Sequence, residues 1–483
     1  MTENYRYKII CDPVHAEIPI SELEQRLVDS RSFQRLRNLK QLGLASLVYP
    51  NATHTRFAHS LGVFRLMSRV IDLFVDQGKF DDSDRRKLRI AALLHDIGHY
   101  PYSHLMEFLD RDKLRPELFR DTENPGTNEK KVIRETAVER YPSHEKIGEL
   151  IISERTDITE VLKKANIDPN EIGAMIRGQH SNPAYNRLTH SSLDVDRMDY
   201  LVRDSLGTGV PYGRIDLDYL LNNLLIHTEP NREGKEVNDV VLASKAAAAA
   251  EHFLVARYFM HKVVYFHKTT FGLEALLRQI LFLMREQKLI YATGADIESV
   301  IKDDDLFFAF HDGFVDQKVS MVAADKNAGA LSELCQCLLK RTPPKLLCEI
   351  PSLREDGGQH TNEYILFRNE KARKITELSR KYQIAKEFWI WEDLPKDVAF
   401  EAMGPTVAIS KAEELQPEEQ AELIRIKGKD GKIRFLMEDN TSIIHHLSKL
   451  KLQASRLYLA KPIDDELLTK IRAEVSSWAR PVS

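Results

Sequence analysis

The chain carries two hydrophobic patterns, a helical one over most of its length and a strand-like one towards its end. From Ser21 to about Ile290, apolar residues recur every three or four positions with good helix formers between them, which predicts helices. The clearest cases are Arg65 to Phe74, Arg85 to Leu94 and Ala243 to Leu283. This part of the chain is predicted to be a helical body.

The pattern changes after Pro343-Pro344. Lys345 to Ile350, Glu363 to Phe367 and Ile424 to Phe435 are short and β-like, and the Lys-Gly-Lys-Asp-Gly-Lys run predicts a hairpin turn. We therefore expect a mainly α body over residues 1–345 and a smaller C-terminal α/β region over residues 346–483. Residues 110–135 are charged and interrupted by Pro and Gly, which is typical of a surface insertion or lid.

Composition places the chain among ordinary globular proteins. Hydrophobic residues make up 43% and charged residues 29% of its 483 residues, which excludes a disordered or collagen-like chain. A chain of this length buries a large core and is expected to divide into two or three units. The formal net charge of -4, from 69 basic and 73 acidic residues, makes nucleic acid an improbable main partner.

The lack of a membrane-spanning run or secretory signal, together with the cysteine pattern, predicts a cytoplasmic protein. No run approaches the roughly 18–20 apolar residues that a membrane-crossing helix needs, and residues 1–8 lack the apolar core of a secretory signal. Cys11, Cys335, Cys337 and Cys348 are too few and too unevenly placed for a disulfide framework. All four are predicted to be reduced thiols.

The most informative stretch is residues 83–104, which contains a His-Asp pair near a helix end. Ser83 is the predicted N-cap, and Gly98 with Pro101 ends the helix, so that His95 and Asp96 fall in its last turn. Both reach one ion only if that ion lies over the helix end, where Gly98 clears space. An imidazole and a carboxylate suit Fe, Mn, Zn, Ni or Mg.

Two further strings offer the remaining ligands. Residues 56–62, Arg-Phe-Ala-His-Ser-Leu-Gly, offer His59, and residues 193–204 offer Asp196. His59, His95-Asp96 and Asp196, in this order on helices, resemble the HD-domain metal-dependent phosphohydrolases. The strings 33–43, 56–62, 95–104 and 194–204 resemble one branch of that family, the deoxynucleoside triphosphate triphosphohydrolases, including the mammalian sterile-alpha-motif-and-HD-domain enzyme and its bacterial relatives.

The resemblance, which runs from about Lys8 to Lys345, implies a fold, an activity and a set of roles. It implies an HD-domain helical bundle that hydrolyses deoxynucleoside triphosphates (dNTPs) to deoxynucleoside and tripolyphosphate. One divalent metal per active site would be held by His59, His95, Asp96 and Asp196, with further Mg accompanying the nucleotide. His99, His104, Glu107 and His144 would be catalytic, Glu107 by orienting His104.

The resemblance also implies a substrate site. Gln41 and Leu42 would read the sugar and exclude a 2′-hydroxyl, Tyr200 and Asp204 would contact the sugar, and basic residues would hold the triphosphate. The implied substrate-binding residues are Gln41, Leu42, Arg56, Arg197, Tyr200, Asp204, Arg257, His261, Tyr265 and Lys268.

A regulatory site between subunits is implied as well. Its residues would bind an activating guanine nucleotide such as dGTP or GTP, in a homo-oligomer that is a dimer or tetramer, and they are Lys8, Ile9, Asp29, Gln34, Arg37, Arg341 and Lys345. Cys11 and Ala249 stand where the mammalian enzyme has asparagines, and Tyr219 stands where it has an arginine. The resemblance therefore does not identify the second nucleotide of the effector pair.

Alternative interpretations remain open. The chain could be another HD-domain phosphohydrolase, such as a nucleotidase or phosphodiesterase, or a non-catalytic nucleotide sensor or nucleic-acid-binding protein. A second His-Asp pair, His311-Asp312, lacks the surrounding motif and is predicted to be structural. Arg35, Arg37 and Lys40 could form a solvated helix face, and four histidines are predicted to be ordinary: His15, His54, His180 and His190.

Overall fold

The computed structural model describes residues 8–107, 109, 140–230, 234–355, 370–393, 423–447 and 450–476. Helices predominate and the strands form small sheets, which confirms the predicted mainly α fold. The predicted insertion at 110–135 and the predicted strand Glu363 to Phe367 lie outside the described residues.

Seventeen α-helices are described in the body. They are α1 (Glu22–Val28), α2 (Arg31–Gln34), α3 (Arg56–Asp76), α4 (Asp82–Leu94), α5 (His104–Glu107), α6 (His144–Glu154), α7 (Thr156–Lys164), α8 (Pro169–Ile176), α9 (Pro183–Thr189), α10 (Val195–Thr208), α11 (Leu217–Leu221), α12 (Ala247–Met260), α13 (Lys268–Glu286), α14 (Gly294–Lys302), α15 (Asp304–Ala309), α16 (Asp312–Ala324) and α17 (Ala330–Leu339). The C-terminal region adds α18 (Lys371–Tyr382), α19 (Ile443–Leu447) and α20 (Asp465–Ser476).

Three sheets accompany the helices in the part of the chain that the structure describes. The hairpin of β1 (Lys8–Asp12) and β2 (Ala16–Ile20) precedes α1. A four-stranded sheet has the order β3 (Leu224–Pro230), β4 (Glu236–Ala243), β7 (Arg425–Lys427) and β8 (Ile433–Phe435). A three-stranded sheet has β9 (Leu450–Leu459) between β5 (Lys345–Glu355) and β6 (Trp389–Asp393).

The four-stranded sheet joins the two parts of the chain. Strand β7 of the C-terminal region pairs in parallel with β4, with Leu242 opposite Ile426. The predicted hairpin is confirmed, since β7 and β8 are antiparallel around the Lys-Gly-Lys-Asp-Gly-Lys run. The β3–β4 hairpin, by contrast, interrupts a stretch that the sequence pattern predicts as helical throughout.

Capping fixes where helix α4 begins and ends. Asp81, not the predicted Ser83, is the N-cap, and its carboxylate accepts hydrogen bonds from the backbone N–H groups of Ser83 and Asp84. The Asp84 side chain accepts in return from the Asp81 backbone N–H at 2.9 Å, which completes a capping box. At the other end Leu94 is the last helical residue and His95 is the C-cap, so Asp96 lies just beyond the helix.

One continuous apolar core runs through the described parts of the body and the C-terminal region. It includes Phe64 and Leu93 of the body together with Phe388 and Tyr458 of the C-terminal region. The predicted boundary near residue 345 stays a prediction, and the described residues on its two sides share one apolar core. Among the described residues, no helix is long and apolar enough to cross a membrane.

Candidate metal centre and active site

A cavity of about 360 Å³ opens where helices α3, α4 and α10 meet. Its wall contains all the predicted metal ligands and most of the predicted catalytic and substrate-binding residues. From those predictions it includes Gln41, Leu42, Arg56, His59, His95, Asp96, His99, His104, His144, Asp196, Tyr200, Asp204, His261 and Tyr265. Glu107, Arg197, Arg257 and Lys268 are not part of this wall.

The four predicted metal ligands converge in this cavity from three helices. His59 Nε2 lies 2.9 Å from Asp196 Oδ1 and 3.8 Å from Asp96 Oδ2. His95 Nε2 lies 3.3 Å from Asp96 Oδ1 and 3.8 Å from Asp196 Oδ1. Two imidazole nitrogens and two carboxylates thus face one another, which is a donor set that suits a divalent cation.

The hydrogen bonding of His95 tests whether these residues fit a metal. His95 Nδ1 lies 2.9 Å from the carbonyl oxygen of Ala92; a carbonyl only accepts, so this nitrogen carries the proton and Nε2 bears the lone pair. Nε2 is buried and hydrogen-bonds to no described residue. A buried imidazole lone pair beside two carboxylates is the arrangement expected of a metal ligand.

The charge state of the cluster also fits a cation. Burial opposes ionisation of Asp96, but Arg56, His95 and His99 hold its pKa well below the ordinary value. Burial alone would lower the pKa of His59, whereas its hydrogen bonds to Asp196 and Asp199 raise it to about 10. A metal at Nε2 would take the place of that second proton, because a ligating histidine is neutral.

Gly98 has no side chain, and helix α6 packs closely against its backbone. A Cβ there would lie 2.1 Å from the His144 carbonyl oxygen and 2.3 Å from the Gly148 nitrogen. Gly98 does clear space at the helix end, as the sequence predicts, but helix α6 fills that space, where an ion was expected. The close approach it permits brings His144 against His99, whose rings stack with centroids 4.1 Å apart.

A carboxylate holds two of the predicted catalytic histidines. Glu107 Oε2 lies 2.8 Å from His104 Nδ1, and Glu107 Oε1 lies 3.0 Å from His144 Nδ1 and 2.9 Å from the His144 backbone nitrogen. Burial opposes its ionisation, but the two histidines lower the pKa of Glu107. Burial also disfavours protonated His144, yet Glu107 raises its pKa. Glu107 thus lies behind the cavity and orients both rings, where the sequence predicted contact with His104 alone.

The predicted sugar-binding residues form a second hydrogen-bonded group. Asp204 Oδ2 accepts from the Tyr265 hydroxyl at 2.7 Å, and Asp204 Oδ1 lies 2.7 Å from His54 Nε2. Asp196, Tyr200 and Asp204 recur at every fourth position of α10 and all face the cavity. His54, which the sequence predicted to be ordinary, therefore positions Asp204.

The predicted basic residues are less uniformly arranged. Arg56 donates to Asp96 Oδ2 at 2.5 Å and to Ser103 Oγ at 2.8 Å. Arg197 folds back onto Asp194 and the Ser191 carbonyl oxygen, and Arg257 hydrogen-bonds Tyr200. Lys268 is exposed at the start of α13. The predicted continuous helix is interrupted here by a π-helical turn, His261–Tyr265, that brings His261 and Tyr265 to the cavity.

The predicted regulatory residues fall into two groups along the chain, within residues 8–37 and 341–345. Lys8 and Ile9 begin β1, Asp29 caps α1, and Arg37 lies over the Phe57 ring at 3.6 Å and donates to Gln34. Arg341 donates to the Leu47 carbonyl oxygen at 2.7 Å, and Lys345 begins β5. Within the described residues of one chain, no hydrogen bond or ion pair joins Arg341 or Lys345 to the first group.

Arg35 corrects the expectation of a solvated helix face. It is fully buried and donates to the carbonyl oxygens of Phe310, Ile97 and His99 at 2.6, 3.0 and 2.7 Å. Burial lowers its pKa to about 9. Arg35 therefore anchors the loop that carries His99. No local pattern marks it, because its partners are backbone atoms distant in sequence.

The second His-Asp pair is structural, as predicted. His311 caps α16 through the Gly313 backbone nitrogen. The buried Asp312 carboxylate accepts from the backbone nitrogens of Lys40 and Tyr102 at 2.9 and 2.8 Å. This pair braces segments beneath the cavity and takes no part in its wall.

Comparison with known protein families gives two matches along the chain. The HD domain model matches residues 56–204, and the HD associated region model matches residues 221–313. These matches cover α3 to α10, which contain all four predicted metal ligands, and the stretch that follows. The family resemblance drawn from the sequence is thereby confirmed.

Similar proteins include both uncharacterised and named relatives. An uncharacterised Bacillus subtilis protein is 34% identical over 277 residues, which cover 57% of this chain and 55% of that protein. The deoxynucleoside triphosphate triphosphohydrolase SAMHD1 homolog of Dictyostelium discoideum is 29% identical over 284 residues, or 56% of this chain and 48% of that one. The chain spans between half and two thirds of the length of the first curated relatives it matches.

A solved structure extends the similarity over nearly the whole fold. The crystal structure of a phosphohydrolase from Bacteroides thetaiotaomicron has a TM-score of 0.66 and 25% identity, and the match covers 94% of this chain and 99% of that one. The C-terminal region is therefore part of the shared architecture.

Proposed function

We propose, on the premise that this chain belongs to the HD-domain proteins, that it is a metal-dependent phosphohydrolase that hydrolyses dNTPs to deoxynucleoside and tripolyphosphate. The name of the Dictyostelium relative supports the substrate class. The similarity to the Bacteroides protein, which is named a phosphohydrolase, supports phosphohydrolase chemistry.

One observation carries the proposal. His95 presents a buried lone pair without a hydrogen-bond partner among the described residues, at 3.3 Å from Asp96 and beside Asp196. What distinguishes this nitrogen from other buried histidine nitrogens is its company: one ligand atom each of His59, His95 and Asp96 lie within 4.8 Å of one another. Together with His59, these residues would hold one divalent ion. When bound, such an ion supplies a Lewis acid for phosphate oxygens and lowers the pKa of a water molecule.

The reaction requires the transfer of one proton to the leaving group. The oxygen of water forms a bond to the α-phosphorus and gives up a proton to solvent, the bond from that phosphorus to the 5′-oxygen breaks, and the 5′-oxygen takes a proton. His104 and His144 are suited to supply it, because both line the cavity and Glu107 orients both rings through their Nδ1 atoms. His99, whose pKa burial and Arg56 lower, would be neutral beside them.

The remaining residues would hold the substrate. Arg56 lies at the edge of the metal cluster, where its guanidinium would bind phosphate oxygens. Arg197, Arg257, His261 and Lys268 would neutralise the rest of the triphosphate, and Arg197 would first leave Asp194. Gln41, Leu42, Tyr200, Asp204 and Tyr265 would surround the deoxyribose, with Leu42 excluding a 2′-hydroxyl.

Regulation and assembly form the finer part of the proposal. Lys8, Ile9, Asp29, Gln34 and Arg37 of one subunit, with Arg341 and Lys345 of another, would bind a guanine nucleotide in a homodimer or homotetramer. A cytoplasmic location and additional Mg bound with the nucleotide belong to the same proposal.

Product analysis tests the proposed reaction. The metal-loaded chain is incubated with each dNTP, singly and in pairs, and with ATP and GTP, and the products are separated by chromatography. We expect deoxynucleoside and intact tripolyphosphate, with far slower turnover of ribonucleotides because a buried 2′-hydroxyl would clash with Leu42 and find no partner. Release of monophosphate or pyrophosphate would indicate a different phosphohydrolase.

The chain supplies a matched pair of variants for this experiment. Asp96→Ala should lose both metal and turnover, since it removes one of four ligands. His311→Ala changes the other His-Asp pair and should keep both, at a cost of about 1 kcal/mol in stability for the lost cap. Full activity and metal content in Asp96→Ala would overturn the site assignment.

A further inference from the structure

A histidine of the N-terminal hairpin reaches the far side of the proposed metal site. His15 lies in the turn between β1 and β2, and its side chain is only 4% exposed. Its Nε2 lies 2.5 Å from Asp199 Oδ1. The other carboxylate oxygen of Asp199, Oδ2, lies 2.7 Å from His59 Nδ1. One buried carboxylate therefore connects the hairpin turn to a proposed metal ligand.

The same carboxylate is held by a second contact to the hairpin. Arg203 donates to Asp199 Oδ2 at 2.8 Å and to Asp12 Oδ1 at 2.8 Å. Asp12 also accepts from the backbone nitrogens of Val14 and His15 at 2.8 and 2.9 Å. The Asp12 carboxylate thus stabilises the turn, and the turn places His15 in contact with Asp199.

Helix α3 is shaped to admit this network. A Cβ on Gly62 would lie 1.9 Å from Asp199 Oδ1 and 2.4 Å from Arg203 Nη2. Gly62 follows His59 by three residues, so both face the same side of α3. The absence of a side chain at this position lets the Asp199–Arg203 pair approach closely enough to bond His59.

The direction of each hydrogen bond defines what the network does. A carboxylate only accepts, so His59 donates from Nδ1 to Asp199 and, without a metal, from Nε2 to Asp196. A metal would take the place of the Nε2 proton, at the atom that faces Asp96 and Asp196. His15 likewise donates from Nε2. Its bond occupies the oxygen of Asp199 opposite the one that His59 uses, which restrains rotation of the carboxylate.

We infer that His15 is a positioning residue for the proposed metal centre: through Asp199 it holds the ring of His59, so the N-terminal hairpin contributes to metal affinity. The inference rests on the proposed function, because it takes His59 to be a ligand. The competing interpretation is that His15 only stabilises the hairpin. In that case its removal would lower the stability of the metal-free protein and leave metal affinity unchanged.

Three variants of the full chain separate these interpretations. His15→Phe keeps ring volume and removes the donor, and His15→Gln keeps a donor near the position of Nε2. His252→Ala removes an exposed histidine of α12 and serves as the control. Each protein is stripped of metal with a chelator and titrated with Co²⁺ alone, in competition with a chelating indicator, while the visible absorption of the bound ion is recorded.

We expect His15→Phe to bind Co²⁺ at least about tenfold more weakly, the lower end of the range for residues that support metal ligands. His15→Gln should recover most of the affinity, and His252→Ala should match the wild type. The increase in Tm on adding Co²⁺ provides an independent measurement, since it reports binding to the folded state. It should be smaller in His15→Phe than in the wild type.

Each outcome decides a different question. Unchanged Co²⁺ affinity and absorption in folded His15→Phe would overturn the inference while leaving the metal site in place. Failure of the wild type to bind Co²⁺ or any other divalent ion would overturn the proposed function itself. If His15→Phe does not fold, His15→Ala is measured in the same way, and wild-type affinity in that variant would equally overturn the inference.

Discussion

Glu107 shows how one buried residue can prepare two others for proton transfer. Its two oxygens fix His104 and His144 through their Nδ1 atoms. A histidine held in this way by a carboxylate has one defined tautomer and a higher basicity on its free nitrogen. The proposed leaving-group protonation therefore depends on a residue that does not touch the cavity.

Replacing Glu107 by Gln should impair the proton-transfer step more than substrate binding. We expect kcat on a dNTP to fall by about 10²-fold or more, the usual contribution of general acid catalysis, with little change in KM. Because Glu107 raises the pKa of His144, its loss lowers that pKa. The decline of activity at high pH should then begin at a lower pH.

A neighbouring glutamate provides the control for this variant. Glu149→Gln, on the same helix as His144, removes a surface pairing with Lys146 and Arg177 and should leave kcat and the pH profile unchanged. Equal kcat and identical pH profiles for Glu107→Gln and the wild type would remove Glu107 from the mechanism.

The sequence was informative for residues that act within recognisable strings and uninformative for those that act across the fold. His59, His95, Asp96 and Asp196 stand in motifs, and the structure brings them together. Arg35 and His54 act through partners more than sixty residues away. Their roles depend on how the helices pack, which cannot be predicted from the spacing of neighbouring residues.

At the scale of elements, the approach of α6 to the loop after α4 determines the geometry of the histidines. A Cβ on Gly98 would lie 2.1 Å from the His144 carbonyl oxygen. We expect Gly98→Ala to destabilise the protein by about 1–3 kcal/mol through overpacking and to reduce turnover, because α6 must move away with His144. Urea unfolding and dNTP hydrolysis measure the two effects.

The facing glycine of the same contact is the matched control. Gly148 lies within α6, and its added Cβ would meet nothing closer than 3.8 Å. Gly148→Ala should be neutral or stabilise by about 0.5–1 kcal/mol, because alanine is the better helix former. Equal stability and activity of the two alanine variants would contradict the packing argument.

A buried ion-pair cluster fastens the C-terminal strand β7 to the body. Asp239 on β4 contacts Arg187 of α9 and Arg425 of β7, and Arg187 also donates to the Leu423 carbonyl oxygen. Burial opposes ionisation of Asp239, but the two guanidinium groups lower its pKa below the ordinary value. Asp239→Asn should therefore destabilise by about 1–3 kcal/mol at pH 7, since it weakens charged hydrogen bonds to Arg187 and Arg425 while Arg425 keeps its pairing with Glu229.

The same cluster predicts a dependence of stability on pH. A carboxyl whose pKa is depressed in the folded state contributes stability above its unfolded pKa of about 3.9 and loses it as the pH falls through the folded value. The free energy of unfolding of the wild type should fall more steeply than that of Asp239→Asn over this acid range. Parallel slopes in urea titrations would contradict the role given to Asp239.

Elements with strong local signals were predicted, and those made by long-range pairing were not. Helices α3 and α4 follow from their apolar spacing. The β3–β4 hairpin is not predicted, because its half-buried strands lie within a dominantly helical stretch and its pairing with β7 joins residues far apart in the chain. Sequence spacing does not record such pairing.

At the scale of the whole molecule, the predicted regulatory residues come from two stretches of the chain, which no hydrogen bond or ion pair joins among the described residues. If a second subunit brings them together, effector binding and assembly are linked and each strengthens the other by the same factor. We expect dGTP to shift the wild type from dimer towards tetramer and to raise the rate on dATP. Sedimentation and rate measurements with and without dGTP test this.

Arg37 is the residue on which to test the linkage. Arg37→Ala removes the guanidinium over Phe57 and should abolish both effects of dGTP while leaving metal content unchanged. The alternative is a constitutive oligomer. Unchanged mass and unchanged rate on adding dGTP to either protein would remove the regulatory proposal and leave the catalytic one intact.

The position of the broken bond tests the central claim most directly. The metal-loaded chain is incubated with dATP and dGTP in water enriched in ¹⁸O, and both products are analysed by mass spectrometry. Because water attacks the α-phosphorus in the proposed reaction, one ¹⁸O atom should appear in intact tripolyphosphate and none in the deoxynucleoside. Label in the deoxynucleoside, or in released phosphate or a nucleoside monophosphate, would contradict the account.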